Sequence, residues 1–104
     1  MTPIAFRMKL KPGHVAEYKR RHDALWPDLA AALRDAGIYD YSIFLDEESL
    51  SLFAVLRLTE NNKADELPKL PVMRRWWDYM ADIMDVNPDN SPVQVPLPSM
   101  FYFP

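Results

Sequence analysis

The chain has 104 residues, no cysteine and a formal net charge of −3, a size at which one domain buries roughly two thirds of its unfolded surface without disulfide or metal support. A thiol nucleophile is excluded, and the dispersed cations argue against a nucleic-acid footprint. No stretch approaches the roughly 18 apolar residues of a membrane span, and no apolar leader follows the N-terminus, so a single cytoplasmic domain over residues 1–104 is expected.

Residues 4–10 alternate, with Ile4, Phe6, Met8 and Leu10 on one side, the period-two pattern of a strand covered on one face. Lys11-Pro12-Gly13 ends it, and a helical region follows over 14–36 with Gly37 as its C-terminal cap. Pro27 lacks a backbone donor and disfavours helical geometry at Trp26, which predicts a break after Ala24-Leu25 and a second helical piece opening at Pro27. Val15, Leu25, Leu29 and Leu33 supply the apolar stripe, while Lys19-Arg20-Arg21, spread at about 100° per residue, reads as the solvated back of the helix.

Residues 39–45 alternate again, placing Tyr39, Tyr41, Ile43 and Leu45 on one face. The polar turn 46–49 leads into a partner strand over 50–58, whose second half is apolar on both faces. Residues 59–70 read as a loop with room for one helical turn. Pro71 opens a further helix to about Met84, with Met73, Trp76, Trp77, Met80 and Ile83 at its apolar positions. Turn formers fill 87–92, residues 93–98 form proline-punctuated extended coil, and 100–103 are predicted as a short aromatic strand. The order β-α-β-β-α-β predicts an α+β fold of the ferredoxin-like, split-βαβ type, an antiparallel sheet with both helices on one face. The other face then lacks a cover, with Tyr41, Ile43, Leu52 and Leu56 as candidates to point away from the helices, and this predicts a homodimer.

Tyr18 and His22 stand four residues apart, so on a helix a phenol and an imidazole meet on one face beside the apolar stripe. A core histidine bonded to a neighbour and an acid/base group in a pocket both fit that position. The tandem Trp76-Trp77 diverges by about 100°, so one indole can join the core while the other lines a cleft, or both can flank a pocket. Aromatic faces with a few hydroxyls suit a sugar ring. Two glycines cannot build a phosphate-binding loop, no G-x-S-x-G elbow occurs, and His14 and His22 lack zinc-site spacing. Asp85 to Asn90 begins like a calcium loop, but Asn90 stands where glycine is needed and Pro96 where the bidentate glutamate is needed, so it reads as an Asx-rich turn.

The run from Tyr18 through His22 and Trp26-Pro27 to Leu29, the pair Trp76-Trp77, and Asn87-Pro88-Asp89-Asn90-Ser91-Pro92-Val93 occur in that order on a chain ending in Phe101-Tyr102. Together they resemble the signature segments of the L-rhamnose mutarotase family. The resemblance implies a dimeric ferredoxin-like enzyme of the α/β-barrel type that interconverts the α and β anomers of L-rhamnose without a cofactor, and the absence of ligand spacing predicts that it needs no metal. The resemblance assigns the proton donor to His22 and sugar binding to Tyr18, Tyr41, Trp76 and Trp77. Residues 59–70 depart from the family's more helical pattern, with Pro68 inside the segment and Pro71 just beyond it. Mutarotation needs a proton delivered to the ring oxygen and one taken from the anomeric hydroxyl. One imidazole can serve near neutral pH, and such catalysis typically gains about 10² to 10⁴-fold. Alternatives on the same scaffold are another cofactor-free enzyme, such as a monooxygenase or a different isomerase, and a non-catalytic sugar-binding module.

Overall fold

In the computed structural model, which describes residues 2–104, the chain runs β1 (Thr2–Lys9), α1 (Val15–Asp23), α2 (Pro27–Asp35), β2 (Ile38–Asp46), β3 (Ser51–Leu58), a 3-10 segment (Ala64–Lys69), α3 (Pro71–Met80) and β4 (Val95–Leu97). The strands form one antiparallel sheet in the order β2-β3-β1-β4, the ferredoxin-like arrangement expected from the element order. The first helical region divides at Pro27: α1 closes at Asp23, Trp26 is extended at ψ 130°, and Pro27 opens α2. Gly37, at φ 87°, turns the chain from α2 into β2. A Cβ there would run into Thr59 Oγ1, while Thr59 N donates to Gly37 O at 2.9 Å, so the position needs both the left-handed backbone and the missing side chain.

On the inner face of the sheet Met8 lies beside Leu52 and Phe6 beside Ala54. This surface meets Tyr18 of α1, Leu29 of α2 and Met73, Trp76 and Met80 of α3 in one buried cluster, where each large apolar side chain contributes roughly 1.5–3 kcal/mol. The outer face carries two cross-strand rows, Phe44–Phe53–Arg7–Val95 and Ser42–Val55–Ala5–Leu97. Phe44 is 63% exposed there. The uncovered set is therefore Phe44, Phe53, Val55, Val95 and Leu97. Leu52 and Leu56 are buried, and Ile43 faces inward opposite Ala54, because strand parity is fixed by the pairing with β1 and not by local hydrophobicity.

The even alternation expected for β2 fails at one point. Tyr39 pairs with Arg57 but Ser42 pairs with Val55, so β2 carries one residue more than β3 across this interval. Asp40 absorbs it in the left-handed region at φ 50°. This bulge separates the two tyrosines read as sharing a face: Tyr39 falls outward with Arg57, and Tyr41 turns inward ahead of Ile43.

Three other expectations are corrected. The third helix ends at Met80, short of Met84, because the backbone beyond it extends β1: Lys11 N donates to Ile83 O and Asp85 N to Lys9 O, each at 2.9 Å. Residues 64–69 form a 3-10 segment containing Pro68, more than a single turn, started by Ala64 N donating to Asn62 Oδ1 at 3.1 Å. The last strand is Val95–Leu97, paired with Ala5–Arg7, in the stretch read as coil; the aromatic residues 100–103 have no strand pairing. β4 is an edge strand, where Pro96 can leave its donor-less side facing away from the ladder.

Candidate active site

A cavity of about 730 Å³ opens between the inner sheet face and the helices, and Tyr18, His22, Tyr41, Trp76 and Trp77 all line it. The size falls in the range of roughly 300–1,000 Å³ common for small-molecule pockets. Its walls are largely apolar, with Leu25, Ile43, Leu67 and Met73 among them. Tyr18 and His22 come from α1, Tyr41 from β2 and Trp76 and Trp77 from α3, so three elements meet in one space over the inner sheet face.

His22 is half-buried in an aromatic setting. Its ring centre lies 4.3 Å from that of Tyr18, tilted by 30°, and 5.4 Å from Trp76 in an edge-to-face contact at 89°. The helical spacing of four supplies the first contact, and the packing of α1 against α3 supplies the second. His22 Nδ1 lies 3.0 Å from Tyr18 O. A carbonyl only accepts, so Nδ1 carries the proton and Nε2 keeps its lone pair in the neutral ring. Burial lowers the imidazole's pKa, against weaker opposing effects of the Tyr18 carbonyl and the Asp23 charge, so the resting ring is neutral at pH 7.

The two phenols are held protonated. Burial first, and then the neighbouring Tyr41, pushes Tyr18 well above its ordinary range. Tyr41 is 40% exposed as a residue, yet burial pushes its phenol up to about 12. Tyr41 lines the cavity, where its phenol is near enough to Tyr18 to add to that residue's shift. Trp76 is buried and Trp77 half-buried, and both indoles line the cavity, Trp76 from within the core cluster and Trp77 packed against it. Arg74 sits 5.6 Å over the Trp77 ring.

Several residues around the site are not among the expected site residues. Asn90, at φ 68°, reaches the cavity together with Gln94, and its Nδ2 donates to Asp78 Oδ1 at 3.1 Å. Behind Trp76, the ring of Trp26 lies 5.1 Å away edge-to-face and that of Tyr79 5.7 Å away. Arg21 corrects the reading of the basic triplet: Lys19 and Arg20 are exposed and pair along α1, but Arg21 is only 8% exposed. Among the described residues no group of three or more His, Cys, Asp or Glu is placed to hold a metal ion, and no helix is long and apolar enough to cross a membrane.

The sequence model of the L-rhamnose mutarotase family matches residues 3–103. The L-rhamnose mutarotase of Acidiphilium cryptum is 60% identical over 104 residues, 100% of both chains, and that of Rhizobium meliloti is 54% identical over 102 residues, 98% of each chain. The crystal structure of an L-rhamnose mutarotase from Formosa agariphila is similar at a TM-score of 0.94 and 47% identity, covering 100% of both chains. Agreement in sequence and backbone over essentially the whole length leaves one conclusion: the chain belongs to the L-rhamnose mutarotase family.

Proposed function

We propose that the chain, working as one domain, is an isomerase that interconverts the α and β anomers of L-rhamnose, with His22 as its acid/base. The observation that supports this best is the His22 setting: a neutral imidazole with Nδ1 bound to Tyr18 O at 3.0 Å, a free Nε2, and a place on the wall of an aromatic cavity. Nε2 takes the proton of the anomeric hydroxyl as the bond from the anomeric carbon to the ring oxygen breaks, and the imidazolium then gives that proton to the ring oxygen. The open-chain aldehyde turns about its bond to C2 and closes on the other face by the reverse transfers. One proton moves from one oxygen to the other, and no electron is gained or lost. His22 serves as the proton donor to the ring oxygen in this sequence. Tyr18 and Tyr41, held protonated, hydrogen-bond sugar hydroxyls without titrating, while Trp76 and Trp77 pack against the apolar face of the sugar.

The same reading extends to a homodimer in the cytoplasm. The support for the dimer is the outer sheet face, with Phe44 63% exposed, and the C-terminal Met100, Phe101 and Phe103, each at least 82% exposed. Apolar surface of this kind is normally covered by a partner. Light scattering at micromolar concentration is expected to give twice the chain mass, and a stable monomer would remove the dimer. The activity is tested by saturation-transfer NMR on the anomeric protons of L-rhamnose and of other pyranoses. Exchange should rise in proportion to protein with L-rhamnose, and exchange that stays at the spontaneous rate would refute the assignment.

A further inference from the structure

Arg21 is the one charged side chain buried among the described residues. A buried guanidinium is costly unless its donors are used, and Arg21 uses them across two helices. Nε donates to Glu17 Oε2 at 2.6 Å on its own helix. Nη1 donates to Tyr79 O at 2.7 Å and to Asp82 Oδ1 at 2.9 Å, at and just past the end of α3. The guanidinium carbon also sits 4.4 Å from the centre of the Tyr79 ring, close enough for a cation–π contact. The Tyr79 ring stacks on Trp26 at 5.5 Å and 29°, and both rings contact Trp76, whose indole meets His22. Among the described residues no backbone hydrogen bond joins α1 to another element, so side chains set the tilt of α1 against α3. Arg20 adds only a solvated contact to Tyr79.

We propose that Arg21 is a positioning residue for His22, fixing α1 to the end of α3 so that the imidazole is held between the Tyr18 ring and the Trp76 indole. The role presupposes the acid/base assignment of His22 made above. Lysine cannot reproduce it, because one ammonium lacks the planar fork that reaches a carboxylate on each side and a carbonyl while lying over a ring. A displacement of the acid/base by about 1 Å is enough to cost on the order of 100-fold in rate.

The test compares Arg21→Lys and Arg21→Met with Arg75→Gln, which breaks a different and exposed helix–helix pair, Arg75 to Asp28 at 3.2 Å. Anomer exchange, thermal melts and the His22 ring-proton NMR shifts are read on each folded protein. Both Arg21 variants should lose about 10- to 100-fold in kcat, with KM moving by less than about threefold. The His22 ring protons should lose part of the ring-current displacement imposed by Tyr18 and Trp76, and Arg75→Gln should change neither readout. Arg21→Lys keeps the charge and supplies a folded sample if Arg21→Met does not fold. A folded Arg21→Lys with a lower melting temperature but wild-type exchange and wild-type His22 shifts would overturn the proposal, as would lost exchange with unmoved shifts. Moved His22 shifts with unchanged exchange would uphold the positional tie and overturn the acid/base assignment instead.

Discussion

Replacing Asp40 tests whether the bulge in β2 is what gives Tyr41 to the cavity. Asp40 holds φ 50°, a conformation open to glycine, tolerated by aspartate and strained by roughly 1–2 kcal/mol for a β-branched residue. Its carboxylate lies 3.7 Å from Arg57 Nε with 76% of its side chain exposed, a pair worth less than about 0.5 kcal/mol. Asp40→Gly and Asp40→Val both lose that pair, so the difference between them isolates the backbone. Asp40→Gly should stay within about 0.5 kcal/mol of wild type, since its easier left-handed geometry is offset by a more flexible unfolded chain. Asp40→Val should lose about 1–2 kcal/mol. Valine escapes the strain only by extending, which smooths the bulge and turns Tyr41 toward the outer face, so its affinity for L-rhamnose should fall as well. Urea denaturation measures the first effect and titration of tryptophan emission the second. Equal stability and equal affinity in the two variants would refute the idea that the bulge aims Tyr41.

L-rhamnose should shift tryptophan emission through Trp76 or Trp77 and little through Trp26; a ligand-induced change that survives both Trp76→Phe and Trp77→Phe would contradict the aromatic wall. Exchange should be flat above neutral pH and fall as the solution is acidified through a value below 6.5, because burial lowers the pKa of His22 and the neutral ring is the working form; a midpoint above 6.5 would contradict this. Hydrogen bonds from Arg20 and Arg21 hold the Glu17 carboxyl down to about 2 from its ordinary 4.5. The stabilisation from Glu17 is therefore complete above about pH 4.5 and lost as the pH falls through about 2. Melting curves of Glu17→Gln should fall less steeply than wild type across that window, and parallel curves would rule the contribution out.

Where a structural decision is local, it is written in the sequence. Pro27 carries its own reason for breaking the helix, Gly37 its reason for ending it, and the spacing of Tyr18 and His22 its reason for putting two rings on one face. Tyr18, His22, Trp76 and Trp77 could be named because they belong to recognisable segments, Tyr41 comes only with the family resemblance, and the three elements that carry them follow from the element order. The decisions that were not legible depend on distant partners. Nothing near Arg21 marks it as buried, since Tyr79 and Asp82 lie 58 and 61 residues along the chain. The bulge at Asp40 exists because β2 is one residue out of step with β3, and aspartate can bear a left-handed turn without a glycine to announce it. The last strand lies at Val95–Leu97 because the free edge of β1 passes there, although the residues at 100–103 have the stronger strand propensity. Distant partners decide the outcome at these three places.

The most direct measurement of the mechanism is anomer exchange in folded His22→Asn. Asparagine can keep one of the ring's hydrogen bonds but does not titrate near neutral pH. The side chain is half-buried and bonded to Tyr18 O, so a loss of stability of about 1–3 kcal/mol is expected whatever its role, and melts on the same samples separate misfolding from lost chemistry. Saturation transfer between the α and β anomeric signals of L-rhamnose should fall by about two orders of magnitude or more per folded molecule, toward the spontaneous rate. A folded His22→Asn that exchanges the anomers at the wild-type rate would make His22 a core residue and remove it from the chemistry.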